Sequence, residues 1–267
     1  MNLSTWIRAF KDTSTIKINS SDDLIIALAG NPNTGKSTVF NSLTGLKQHT
    51  GNWPGKTVTT ALGEYIHKDK TFTLVDLPGT YSLLSNSGEE EIARDFICFS
   101  EPVVTVVVTD ATCLERNLNL ALQIIEITDK VVICVNLMDE AKRKKIGINL
   151  KELSGILGIP VVGTNARDGQ GLNELKDAIY QMATGEINTN PFKISYNALE
   201  NIIAQLELII NETLDGRING KWVALRLLDS DETILNSLNS YMKVDLWQNH
   251  KLREMINKVK ESLNPDE

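Results

Sequence analysis

From Gly30 to Ser37 the chain reads Gly-Asn-Pro-Asn-Thr-Gly-Lys-Ser, glycines flanking four residues and then a cation and a hydroxyl. An apolar run, Leu24 to Ala29, leads into it and a helix-compatible stretch leads out. Strand, glycine loop and helix are the context in which this spacing binds phosphate. Gly30 and Gly35 allow the backbone to turn its N–H groups inward around an anion. A helix starting near Lys36 would add its positive dipole end. Lys36 would reach the β- and γ-phosphates, and Ser37 would offer its hydroxyl to Mg²⁺. Asn31, Asn33, Thr34 and Thr38 complete the candidate contacts of this loop. The implied ligand is a nucleoside triphosphate.

Asn136-Leu137-Met138-Asp139, at the end of a second apolar run, chooses the base. Guanine presents two donors on one edge, and the Asp139 carboxylate can accept both. Against adenine a buried Asp139 would be left unpaired, at a cost of about 1–3 kcal/mol. Asn136 and Met138 share this candidate base site, and Thr164-Asn165-Ala166 would turn backbone N–H groups toward the guanine oxygen. Asp76-Leu77-Pro78-Gly79 closes another strand-like run. There Asp76 would hold a Mg²⁺-bound water and the Gly79 N–H would meet the γ-phosphate. Thr57 is the candidate for a second hydroxyl on Mg²⁺, with Thr50, Thr59 and Thr60 as competitors.

These residues need a scaffold that brings strand ends together. Strand-like segments occur at 61–67, 71–76, 103–109, 130–136 and 160–164, with helical patterns near 89–99, 114–128, 149–157 and 171–183. Continuous Val/Ile runs alternating with helices predict an α/β fold, with a mostly parallel sheet covered on both faces. The pair at 61–76 would add one antiparallel strand. Residues 47–60 lack apolar periodicity and read as a mobile loop. Glu89-Glu90-Glu91 suits a helix start. From Ser195 onward no strand-like run occurs. Leu199, Ile202, Ile203, Leu206, Ile209 and Ile210 repeat at helical spacing, and 221–228, 231–240 and 247–262 also read as helices. The boundary falls between Thr184-Gly185 and Asn190-Pro191. The expected organisation is an extension at 1–23, a nucleotide domain at 24–186 and a small all-α domain at 187–267.

The chain of 267 residues carries 34 acidic and 27 basic residues, for a net charge of −7. That balance lacks the basic footprint of a nucleic-acid binder, and Lys142-Arg143-Lys144-Lys145 reads as a solvated helix end. Cys98, Cys113 and Cys134 are odd in number and scattered, which suggests buried thiols in a reducing compartment. His49, His67 and His250 form no metal-ligand spacing. With no apolar run of about 18 residues and no long apolar core at its start, the chain is expected to be a soluble cytosolic piece.

The motifs, in this order, are those of translation-factor-class GTPases. GNPNTGKSTVFNSLTG, HTGNWPGKTVTT and VDLPGTYSL resemble the amino-terminal G domain of the ferrous-iron transporter B (FeoB) family, and KWVALRLLDSD is similar to that family's helical domain. The resemblance covers about residues 24–262. It implies a P-loop GTPase fold followed by a dissociation-inhibitor-like helical domain, with GTP/GDP and Mg²⁺ as ligands. It further implies that Asn33 helps to hold K⁺ against the phosphates. Thr80 stands where Ras-like enzymes carry a water-orienting glutamine, so hydrolysis should be slow. Leu137 replaces a lysine that packs over the base in many GTPases, which implies looser nucleotide binding. Residues 47–60 and 79–92 would be the switches. The module would serve a membrane-embedded permease region of the same polypeptide beyond Glu267, at the cytoplasmic face of the membrane, and a homo-oligomer is compatible with that role. A free-standing GTPase of ribosome assembly and a GTP-gated scaffold are the alternatives.

Overall fold

The structure, a computed structural model, describes residues 24–45, 48–53, 58–84 and 87–263. Its centre is β1 (Leu24–Gly30), buried along nearly its whole length because both faces carry aliphatic side chains. Parallel to it run β4 (Lys70–Asp76) on one side and β5 (Val104–Asp110), β6 (Val131–Asn136) and β7 (Val161–Gly163) on the other. β3 (Thr59–His67) pairs antiparallel with β4, and β2 (Gln48–Asn52) antiparallel with β3. The seven-stranded order is β2-β3-β4-β1-β5-β6-β7.

Among the described residues six α-helices cover this sheet. They are α1 (Lys36–Thr44), α2 (Gly88–Phe99), α3 (Leu114–Ile127), α4 (Met138–Arg143), α5 (Leu150–Leu157) and α6 (Leu172–Ala183). Side chains alternate across a strand, and each set meets a different cover. Ile26 and Leu28 of β1 cluster with Val39 and Phe40 of α1 and with Leu175 and Ile179 of α6. The alternate residues Ala27, Val107 and Ile133 are equally buried, and α2 and α3 pack against β1. Ser87 caps α2 by accepting from the Glu90 N–H, with Glu89, Glu90 and Glu91 in the first turn, where carboxylates favour the dipole.

Two expectations change. Residues 48–52, read as loop, form β2. An edge strand pairs through its backbone and needs no apolar face, so QHTGN gives no periodic signal. Residues 54–57 of the same segment, Thr57 included, and residues 1–23 lie outside the described residues. Cys98 and Cys134 are buried as expected, and burial pushes the Cys134 thiol up to about 12. Cys113, by contrast, is exposed at the start of α3, since it follows the end of β5 and belongs to no apolar run.

The described residues 193–263 form a separate compact unit. It contains α7 (Glu200–Leu214), α8 (Gly220–Leu228), α9 (Glu232–Met242) and α10 (His250–Leu263), and no strand occurs among its described residues. Ile203, Leu206, Ile210 and Leu214 line the buried stripe of α7, and Trp222, Val223, Ile234, Leu238, Leu252 and Ile256 are also buried. Asn219 and Asp231 cap α8 and α9 through their side chains.

The register of α7 is testable by a pair of truncations. Leu206 is fully buried and Leu208, two residues on, is 66% exposed. Leu206→Ala should cost about 2–5 kcal/mol by urea unfolding, and Leu208→Ala about 0.5 kcal/mol or less. Equal costs would contradict the assigned face.

Candidate functional site

The described candidate segments around Gly30–Ser37, Asp76–Thr80, Asn136–Asp139 and Thr164–Ala166 gather at the carboxyl ends of the parallel strands. β1 leads toward β2–β4 and β5 leads the opposite way toward β6, so the crossover direction reverses beside β1, where open α/β sheets bind ligands. The loop from Gly30 to Gly35 sits at this point and runs directly into α1. Gly35 has φ 79°, and a Cβ there would stand 2.5 Å from Asn136 Nδ2. A Cβ on Gly30 would stand 2.6 Å from the Val108 carbonyl. Only glycine fits either position. Within the loop Thr34 is buried and its hydroxyl donates to the Asn31 carbonyl at 3.0 Å. Asn33 is exposed with φ 67°, and Ser37 and Thr38 are exposed on the first turn of α1.

Lys36 forms an ion pair with Asp76, the last residue of β4, and donates to the Leu77 carbonyl at 2.7 Å. Register sets this pairing, since Leu28 lies opposite Asp76 on β1 and the Leu77 N–H donates to the Leu28 carbonyl at 3.0 Å. Burial pushes the Asp76 carboxyl above its usual value, and the Lys36 ammonium pulls the other way. Thr60 is drawn to the same strand end, its hydroxyl donating to the Asp76 carbonyl at 2.9 Å. Thr50 and Thr59 lie in β2 and β3. Gly79 is exposed beside Pro32, with room for a Cβ at 3.5 Å. Thr80 is buried. Its N–H donates to the Gly30 carbonyl at 3.2 Å, and its hydroxyl both donates to the Ser82 carbonyl and accepts from the Ser82 N–H.

The base-side segments meet the phosphate loop through one carboxamide. Asn136, 1% exposed at the end of β6, donates from Nδ2 to the Thr34 carbonyl at 3.1 Å. Its Oδ1 accepts from the Thr164 hydroxyl at 3.0 Å and from the Ala166 N–H at 3.1 Å. Ser42 of α1 adds a second tie, donating to the Ala166 carbonyl at 2.8 Å. The Met138 N–H donates to the Thr164 carbonyl at 3.2 Å, and the Asp139 N–H to Asn165 Oδ1 at 2.7 Å. Leu137, with φ 63°, makes the turn between β6 and α4.

The geometry revises several readings from sequence. The Asp139 side chain is 44% exposed and 3.2 Å from Arg143, because it stands on the first turn of a short surface helix. The N–H groups of Thr164, Asn165 and Ala166 are not turned outward; they donate to the Val135 carbonyl, the Gln170 carbonyl and Asn136. Asn136 therefore positions loops through contacts that only folding reveals. Ser42 was not legible in the sequence, and neither was Gln123, a lone polar residue in the apolar run LALQII, whose Oε1 accepts from the Leu83 N–H at 2.7 Å. Arg94 is also unexpected: it is wholly buried on α2 and bonds to Asp95 at 2.6 and 2.8 Å.

The donor set suits a hard divalent cation. The exposed Ser37 hydroxyl adjoins Lys36, and the Lys36 partner is the Asp76 carboxylate. Mg²⁺ is commonly held by one or two such oxygens together with substrate phosphates. The buried Asn31 carboxamide has no hydrogen-bond partner among the described residues, a polar demand inside the phosphate loop. Among the described residues no three His, Cys, Asp or Glu side chains come together as a metal site.

Comparison with known proteins gives a consistent picture. The family described as ferrous iron transport protein B matches residues 24–179, and the FeoB cytosolic helical domain matches residues 196–266. The Fe(2+) transporter FeoB of Shigella flexneri is 37% identical over 213 residues, covering 78% of this chain and 27% of that protein. A Fe(2+) transport protein A/FeoB fusion of Porphyromonas gingivalis is 38% identical over 212 residues, covering 78% and 25%. The chain thus spans about a quarter of the length of these curated relatives. The crystal structure of the cytosolic domain of T. maritima FeoB in a GDP form shares 36% identity and a TM-score of 0.73, covering 91% of this chain and 97% of that one. The FeoB G domain of Methanococcus jannaschii shares 44% identity and a TM-score of 0.55, covering 61% and 99%. Among the described residues no helix is long and apolar enough to cross a membrane.

Removing the Asn136 carboxamide deletes three hydrogen bonds at once. At about 1 kcal/mol each, Asn136→Ala should destabilise this unit by about 3 kcal/mol in urea unfolding. A loss below about 0.5 kcal/mol would show that the two loops are held independently of it.

Proposed function

The chain belongs to the ferrous iron transport protein B (FeoB) family, and from that premise we propose that it is the GTP-binding and GTP-hydrolysing module of a ferrous-iron membrane transporter. The observation that carries this reading is the Asn136 tie, in which one buried carboxamide joins the phosphate loop to the base loop. Both matched family descriptions name FeoB, and the ribosome-assembly alternative is set aside. Iron(II) would cross the membrane through parts of the polypeptide outside this chain, with this module at the cytoplasmic face. The matched ranges favour a G domain over about 24–186 and a dissociation-inhibitor-like helical domain over about 187–267.

In this reading the phosphates compete with Asp76 for the Lys36 ammonium, and the carboxylate released turns to the metal's water. Ser37 supplies the hydroxyl to Mg²⁺, and Thr57, which lies outside the described residues, is assigned the second. Held there, Mg²⁺ would supply positive charge against the phosphates. The Gly79 N–H faces the γ-phosphate. Asp139, already carboxylate-outward and half-exposed, accepts the two guanine donors. Thr80 offers no free hydroxyl proton to a water, because it donates to the Ser82 carbonyl, which supports slow intrinsic turnover. Asn33, exposed on the rim of the loop, is assigned to K⁺, a positive charge at the transition state where no arginine is supplied.

GTP hydrolysis by the wild type should be about tenfold or more faster in K⁺ than in Na⁺. In Asn33→Ala the two rates should converge; equal wild-type rates in the two salts would remove Asn33 from this role. Asp139→Asn replaces an acceptor of two donors by a group that pairs with the C2 oxygen of xanthine. GDP affinity should fall about a hundredfold while xanthosine diphosphate gains, as read by competition binding. Unchanged GDP affinity would move base recognition away from Asp139.

A further inference from the structure

The segment that follows the Asp76–Gly79 turn is fastened at two places, and only one of them belongs to the nucleotide motifs. At its start the Thr80 N–H donates to the Gly30 carbonyl of the phosphate loop. At its far end the fastening is Gln123, in the middle of α3. Its Oε1 accepts from the Leu83 N–H at 2.7 Å and from the Ser82 hydroxyl at 3.3 Å. The Ser82 hydroxyl in turn accepts from the Leu84 N–H at 3.1 Å, so one carboxamide oxygen orders three consecutive residues. Arg116, two helical turns earlier on the same face of α3, lies over the Tyr81 ring at 4.6 Å. Leu83 is buried by this docking, whereas Tyr81 and Leu84 remain about half exposed. Among the described residues 80–84, Leu83 is the one buried large apolar side chain, and the polar contacts to Gln123 help to decide where the stretch lies.

We propose that Gln123 is a positioning residue for GTP hydrolysis: by holding Ser82–Leu84 on α3 it keeps Gly79 and Thr80 against the phosphate loop. This rests on the GTPase reading above. Gln123 touches neither phosphate nor metal in this account. It acts through the backbone it orders, holding the segment in the geometry in which the Gly79 N–H can meet the γ-phosphate. Such a residue should alter the chemical step and leave ground-state nucleotide binding nearly untouched.

The test uses the 267-residue protein, with GTP as substrate and GDP as the binding probe. Gln123→Met keeps the length of the side chain and removes the acceptor; Gln123→Glu keeps an acceptor oxygen. In Gln123→Met, kcat should fall about tenfold with KM and GDP affinity within about twofold. Hydrogen exchange at the Leu83 amide should speed up by a similar factor. Gln123→Glu should restore most of both. Ser82→Ala, which removes one of the two bonds to Gln123 together with the bond from the Leu84 N–H and disturbs no helix, should give an intermediate loss of about threefold. Wild-type kcat and Leu83 protection in Gln123→Met would overturn the proposal, as would equal impairment of Met and Glu variants, since packing alone would then explain the effect. A wild type that binds no guanine nucleotide would instead defeat the functional reading itself, before any variant is made.

Discussion

The Asn136 carboxamide is the constraint on which the site depends. It is buried and its hydrogen bonds go to protein: Thr34 in the phosphate loop on one side, Thr164 and Ala166 in the base loop on the other. Removing one partner of a buried pair leaves the other unsatisfied, so these contacts fix loop separation more stringently than their net energy suggests. The approach is close enough that Gly35 can carry no Cβ. The glycine of a phosphate-loop motif thus serves two ends here, a left-handed turn and access for a side chain from β6. Ser42 reinforces the same joint from α1.

The parallel sheet makes this joint feasible. Its parallel strands β1, β4, β5, β6 and β7 deliver their carboxyl ends to one edge, and register sets Asp76 opposite Leu28 and Asn136 opposite Asp110. Lys36 and Asp76 meet because β1 and β4 are neighbours, although they are far apart in the chain. A cation and a carboxylate paired in this way are ready to exchange partners when a more highly charged anion arrives. The segment beyond Gly79 is less firmly built. It is held by short-range hydroxyl contacts and by α3.

Much of this was legible from residue order. Continuous aliphatic runs marked β1, β5 and β6, since a strand buried on both faces must be apolar throughout. Helical spacing marked α7, and the phosphate loop announced itself by its glycines and its flanks. Three kinds of feature were not legible. β2 pairs only through its backbone and carries no side-chain pattern. The exposure of Asp139 and the inward use of the Thr164–Ala166 N–H groups are set by tertiary hydrogen bonds, which the motif does not encode. Gln123 and Ser42 act on residues distant in sequence, and a single polar residue in an apolar run does not say what it will meet.

The central claim is that the two loops joined by Asn136 form one site that reads guanine and phosphate together. Calorimetric titration of the protein with GDP and with ADP, both in the presence of Mg²⁺, tests it most directly. One-to-one binding of GDP at least a hundredfold tighter than ADP is the predicted result. Equal affinities, or saturable binding of neither, would contradict it.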